Sequence, residues 1–323
     1  EKKKGPDTIG SGPASYRSFP IDRDSQFRVI NIHHYSTSQG AICQGKAPPP
    51  SPASQREKPL TVRVSCRYDK NRNFNKERER GEMEKRVYAN YAAGAPLRPA
   101  AKQRMETVFD TVLGNPSDPG REGRAARRVL EESRRTIASL LQVEPGDIFF
   151  TSGATESCNL ALLGMRPAAG NRRLAISALE HSAVRAPAKT WPDPVVLPAT
   201  RRGTVDIAAA KSLLKETIFL CSVMTVSHEL GTLQPLSAIA PLCKEAGIFL
   251  HTDATQAAGR LPLHPDELGV SLLSFSAHKF GGPQGAGILY RKQGVPLAPV
   301  FHGGGQEQGL RPGTENVAAA AGM

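Results

Sequence analysis

The 323-residue chain contains no run of about 18 apolar residues, so no ordinary membrane-spanning helix is expected. Its first residues include acidic side chains and lack an apolar core, which argues against a secretory signal or a transit peptide. Cysteine is scarce. Cys43, Cys66, Cys158, Cys221 and Cys243 form no CxxC pair and no framework spacing, so neither a disulfide scaffold nor a metal site is expected. An odd, scattered set points to reduced thiols and a cytoplasmic location. Apolar residues are also slightly few, at 39%, for a chain folded throughout.

Acidic residues fall short of basic ones, leaving a net charge of +12. The excess is uneven. Residues 1–85 hold 17 Lys and Arg against 10 Asp and Glu, and the remainder holds 25 against 20. Most of the imbalance thus sits in a Lys-, Ser-, Pro- and Asn-rich stretch expected to be a disordered or low-complexity extension. A basic folded face, and with it a nucleic-acid partner, is not expected. Pro48-Pro49-Pro50 marks a linker, and residues 70–85 are a mixed charge run of the solvated kind. A chain that opens on Glu1 and stops at Met323 in an Ala-rich run reads as a piece of a longer one.

From Val87 onward the rhythm is α/β. Pro99 suits the first turn of a helix reaching about Leu113. A second helix is expected over 123–143, with Val129, Leu130, Ile137, Leu140 and Leu141 on one face. Short apolar strands are expected at 148–150, 174–177, 195–197, 218–226, 248–251, 272–275 and 287–290, with helices between several of them, including 159–163 and 236–246. This alternation predicts a mostly parallel sheet flanked by helices. Functional residues then belong just past the carboxyl ends of strands.

Polar residues collect at those ends. The turn Thr151-Ser152-Gly153-Ala154-Thr155 feeds a helix start, a geometry suited to a phosphate. Asp253 follows the strand 248–251, and Ser276-Ala277-His278-Lys279 follows 272–275. An Asp there can hold a proton on a cofactor ring nitrogen, and a partly desolvated Lys can react with a carbonyl. Each feature alone also fits a helix cap, a salt bridge or a surface lysine.

Their succession is more specific. Ser152-Gly153-Ala154-Thr155-Glu156-Ser157, Glu180-His181, His251-Thr252-Asp253-Ala254-Thr255-Gln256, Ser276-Ala277-His278-Lys279, Gly303-Gly304-Gly305-Gln306-Glu307 and Arg311-Pro312-Gly313-Thr314-Glu315-Asn316 occur in that order. In this the chain from about Val87 to Met323 resembles the NifS/IscS-like cysteine desulfurases, class V enzymes of pyridoxal-phosphate fold type I. The resemblance implies an α/β large domain over 86–300 and, over 301–323, the start of a C-terminal segment whose small domain is largely missing. It implies pyridoxal 5'-phosphate as cofactor. Lys279 then matches the lysine that holds the cofactor covalently and moves the substrate α-proton. His181 matches the imidazole stacked on its ring, Asp253 the partner of the ring nitrogen, and Gln256 the donor to the ring oxygen. Ala154, Thr155, Ser276 and His278 match a phosphate cradle. Thr314 matches a residue serving the neighbouring subunit's phosphate, which implies a homodimer.

The chain also departs from that pattern. His228 in Ser227-His228-Glu229-Leu230-Gly231 stands where the family places Asn, still able to donate to the cofactor's ring oxygen or carboxylate. The hydroxyls expected around Ala92–Ala95 are gone, and Gly120 stands where a His is common. None of the five cysteines matches the family's sulfur-carrying one; Cys158 and Cys221 read as packing residues. The implied reaction removes sulfur from L-cysteine, leaving L-alanine, and passes it to an acceptor or scaffold protein, as in iron–sulfur cluster or thio-cofactor assembly. A selenocysteine lyase, another class V enzyme, or a degenerate homologue without turnover are the alternatives.

Overall fold

The computed structural model describes residues 87–323; the extension expected over 1–85, with its linker, Cys43 and Cys66, lies outside the described residues. Pro99 opens helix α1 (Pro99–Thr111), two residues shorter than expected. Helix α2 (Arg121–Leu141) buries Ala126, Leu130, Arg134, Ile137 and Leu141, and ends where Gln142 turns left-handed, φ 57°. Leu140 does not share that face, being 72% exposed. The stripe of spacing three and four runs instead through Arg134, a charged residue that an apolar pattern skips.

Seven strands alternate with the remaining helices: β1 (Ile148–Thr151), α3 (Ala154–Met165), β2 (Arg173–Ser177), α4 (Ser182–Ala188), β3 (Val195–Leu197), α5 (Ile207–Leu213), β4 (Ile218–Ser222), α6 (Leu236–Glu245), β5 (Phe249–Asp253), α7 (Pro265–Leu268), β6 (Leu272–Ser276), β7 (Gly287–Arg291) and α8 (Val317–Ala321). The sheet order is β1-β7-β6-β5-β4-β2-β3. Strands β2 through β6 pair in parallel, and β7 runs antiparallel to β1 and β6. The sheet is therefore mostly parallel and flanked by helices. Strand β4 stops at Ser222 rather than at Val226. Beyond it, Val223 and Thr225 still donate to the His251 and Asp253 carbonyls, while the chain turns toward residue 228.

Alternate strand residues feed two cores. Ile148 and Phe150 pack with α2 and α6 residues such as Leu130 and Ile239. Phe149 joins Leu160, Leu174 and Phe219 on the other face. Strands buried on both sides carry apolar residues at every position, as β4 does with all five buried. One contact shapes the site directly. Gly287 lies against the turn after β1, where a Cβ would meet the Gly153 Cα at 2.4 Å. Helix α8 packs on α1 and α2, within the same unit, Val87–Met323.

Candidate active site

The site forms along one edge of the sheet because parallel strands all end there. After β6, a 3-10 turn, Ala277–Lys279, carries His278 and Lys279. The Lys279 Nζ donates to the carbonyls of Ala92 and Ala93, at 2.7 and 3.0 Å. Burial, and then the charge of Arg260, lower the Lys279 amine below its ordinary range, with Asp253 pulling the other way. Less of the amine is protonated than in a surface lysine, which favours nucleophilic chemistry.

Asp253 ends β5 and is 5% exposed. Its Oδ1 accepts from the Thr255 N–H at 2.9 Å. Gln256, one turn on, donates to the Ala92 carbonyl at 2.9 Å. The hydroxyls missing from residues 92–95 are thus replaced in part by main-chain carbonyls, which receive both Lys279 and Gln256. Arg260 closes this group: it donates to the Lys279 carbonyl at 2.8 Å and to the Gln256 Oε1 at 3.2 Å. Its place four residues after Gln256 was the only sequence sign of that contact.

His181 follows β2 and caps α4, its Nδ1 accepting from the Ala183 N–H at 3.1 Å. That bond leaves the neutral ring's proton on Nε2. His228 meets it edge-on, ring centroids 4.9 Å apart. Burial and then His181 lower the His228 imidazole's pKa, opposed by Glu229 and Asp253. His228 is therefore biased toward the neutral form. Lys279 also acts on it, so His181, His228, Asp253 and Lys279 share one electrostatic neighbourhood.

Ser276, at the end of β6, is 2% exposed, and its Oγ lies 2.7 Å from the His278 Nδ1. Burial and then Lys279 lower the His278 pKa. A Cβ on Gly153, whose φ is +153°, would stand 3.4 Å from the Ser276 Oγ. Glycine therefore brings the first turn of α3, with Ala154 and Thr155, next to Ser276. The free N–H groups of a helix start make this a place for an anion.

Thr314 lies on the C-terminal side of the site. Its Oγ1 accepts from Asn115 at 3.5 Å, and it lines a cleft with Thr151, Ser152, Arg311 and Glu315. Arg311 pairs there with Glu156 at 2.9 Å, and Glu156 also accepts from the Ser152 N–H at 2.8 Å. Further off, the buried pair Arg134–Glu307 was not foreseen, since its partners are 173 residues apart.

The residues fit a phosphorylated, cationic-ring cofactor. Two buried polar atoms beside Asp253 and His181, Thr255 Oγ1 and His228 Nδ1, have no hydrogen-bond partner among the described residues. Buried polar groups are normally satisfied, so these two call for a polar ligand. The anion-ready turn follows β1 and the buried carboxylate ends β5.

Residues 87–323 match the family model for Aminotransferase class-V. The chain belongs to the aminotransferase class-V family. Within that family it is similar to a cysteine desulfurase IscS of Dictyoglomus turgidum, 41% identical over 75% of this chain and 63% of the relative. An IscS-like cysteine desulfurase of Mycobacterium tuberculosis is 38% identical over 73% of this chain and 63% of the relative. The chain thus spans about 63% of the length of these class-V relatives. Among solved structures, a NifS-like protein superposes with a TM-score of 0.71 at 36% identity, covering 73% of this chain and 67% of that one. One described as SspA in complex with cysteine gives 0.70 at 32% identity, covering 73% and 71%. These likenesses put the chain in the NifS/IscS-like group of class V. Among the described residues, no helix is long and apolar enough to cross a membrane.

Proposed function

We propose that the chain carries the cofactor-binding part of a pyridoxal-phosphate-dependent cysteine desulfurase, an enzyme that takes sulfur from L-cysteine and leaves L-alanine. The observation that carries the reading is the convergence of a partly desolvated Lys279, a buried Asp253 and the His181–His228 pair on one strand-end edge. The relatives' names supply the substrate class.

Each residue has work suited to its surroundings. Ala154 and Thr155, at the start of α3, would hold the phosphate with Ser276 and His278. Asp253, held in place by the Thr255 N–H, would keep a proton on the ring nitrogen. Gln256 and His228 would donate to the ring oxygen. With its ring nitrogen protonated, pyridoxal phosphate withdraws electrons from the substrate carbon and eases loss of the sulfur. Lys279, easily deprotonated, would attach the cofactor and then accept or return the α-proton at its Nζ. His181, with its proton fixed on Nε2, would stack on the ring and donate there. Thr314, in the cleft beside Ser152, would serve the phosphate of a second copy, as the family resemblance implies, hence a homodimer. An acceptor protein would receive the sulfur.

His228 in place of the family's Asn favours one second reading, a homologue that binds the cofactor without turning over. The test begins with pyridoxal phosphate added to the full chain. A protein-bound visible band is expected, and borohydride should fix the label on Lys279. Lys279→Ala should abolish that label while keeping some phosphate-dependent binding. A label on another lysine, or none in a folded chain, would refute the assignment. Release of alanine from L-cysteine by a form of the protein that also carries a sulfur-accepting cysteine separates desulfurase from silent homologue; this chain by itself should show little turnover.

A further inference from the structure

Glu180 precedes His181, yet it faces inward and is 1% exposed. Its Oε1 accepts from the Ser177 Oγ at 2.7 Å and from the Met224 N–H at 2.7 Å. Its Oε2 is buried with no hydrogen-bond partner among the described residues. No Lys, Arg or His among the described residues forms an ion pair with it. Two neutral donors on one oxygen are poor compensation for burying a full negative charge. A carboxyl in such a place keeps its proton instead.

We propose that Glu180 is a neutral, proton-bearing acid that braces the floor of the site. The brace spans two elements. Ser177 ends β2, and Met224 begins the segment that leaves β4 and carries His228. Glu180 ties these together directly behind His181, so both imidazoles are set by one buried carboxyl. Burial raises its pKa most; the Ser177 hydrogen bond opposes this, Asp253 raises it further, and Met224 and Arg185 oppose, leaving it pushed up to about 8. Glu180 is a positioning residue, since it touches no reacting atom.

The decisive readout needs no cofactor, so it stands or falls apart from the proposed activity. Infrared spectra of the full chain at pH 7 should contain a protonated-carboxyl C=O band that fades as the pH passes about 8. Glu180→Gln, which retains an acceptor for Ser177 and Met224, should remove that band and preserve the fold. A chain with no such band at pH 7 overturns the proposal without any variant. So does a band that survives unchanged in Glu180→Gln. A second arm, resting on the proposed cofactor, separates bracing from packing. Glu180→Gln should take up pyridoxal phosphate nearly as the wild type does, whereas Glu180→Ala should bind about tenfold or more weakly, because the Met224 N–H is left unpaired. Equal loss in both variants would remove the bracing role.

Discussion

Replacing Glu307 by Ala should be among the most damaging single changes outside the site. Its carboxylate is buried, takes two guanidinium bonds from Arg134 at 2.6 and 2.9 Å, and accepts the Phe150 N–H at 2.8 Å. Arg134 also donates to the Ile148 carbonyl. Burial alone would lower the Arg134 pKa, but Glu307, helped by Glu131, raises it instead. Removing one partner of such a pair costs about 3–5 kcal/mol. Leaving the Phe150 N–H unsatisfied adds about 1–3 kcal/mol. Together these make a loss of about 4–8 kcal/mol, a large part of the 5–15 kcal/mol typical of a domain. Equilibrium urea unfolding of the full chain reads it as a lower midpoint at unchanged slope. Paired replacement, Arg134→Met with Glu307→Leu, should recover most of the loss, because it buries no orphan charge. A Glu307→Ala chain within about 1 kcal/mol of the wild type would refute the reasoning. A double variant no better than the single would do so too.

Other expectations follow from the same geometry. Gly287→Ala would press a Cβ to 2.4 Å from the Gly153 Cα, and backbone on both sides cannot yield cheaply. A loss of about 1–3 kcal/mol is expected, with faster amide exchange over 152–155; unchanged exchange there would contradict it. For Glu180 the folded pKa, about 8, lies above the ordinary 4.5. Its contribution is thus fully present below about pH 4.5, falls by about 1.4 kcal/mol per pH unit up to about pH 8, and is gone beyond. The difference in unfolding free energy between wild type and Glu180→Gln should follow that slope, and a pH-independent difference would refute it. Lys279 should react with acetic anhydride at lower pH than exposed lysines such as Lys102, given its lowered pKa. A midpoint equal to theirs, by mass spectrometry of the peptides, would count against its desolvation.

Much of the fold was legible because buried parallel strands are written as short apolar runs. Residues 195–197 and the starts of β1, β6 and β7 match the expected positions to the residue. The end of β4 did not match, since Val223–Val226 remain apolar while the backbone turns toward residue 228. Leu140 misled for a related reason. An apolar side chain on a helix carries no mark of whether anything packs against it, and the buried stripe passes through a charged Arg134. At the site, motif order brought Lys279, Asp253, Ser276 and His181 to one edge. The main-chain carbonyls of Ala92 and Ala93 could not be read, because a carbonyl has no residue identity. Nor could the Arg134–Glu307 pair, which depends on a tertiary meeting of two distant segments.

The placement of β7 sets an order on how the chain can assemble. Ile148 and Tyr290 are register partners, so, among the described residues, the strand made first among the seven has its one neighbour in the strand made last. At ribosomal speeds of about 5–20 residues per second, β1 waits about 7–28 s for its mate. Until then β6 also presents a bare edge, since β7 covers both. The parallel middle, β2 through β6, can form first, and the hairpin of β6 and β7 then captures β1. That late capture also draws Gly287 onto Gly153, so the anion-ready turn acquires its shape only in the last step of sheet assembly. A nascent chain halted before Gly287 would hold most of the site's residues and not yet have a place for a phosphate.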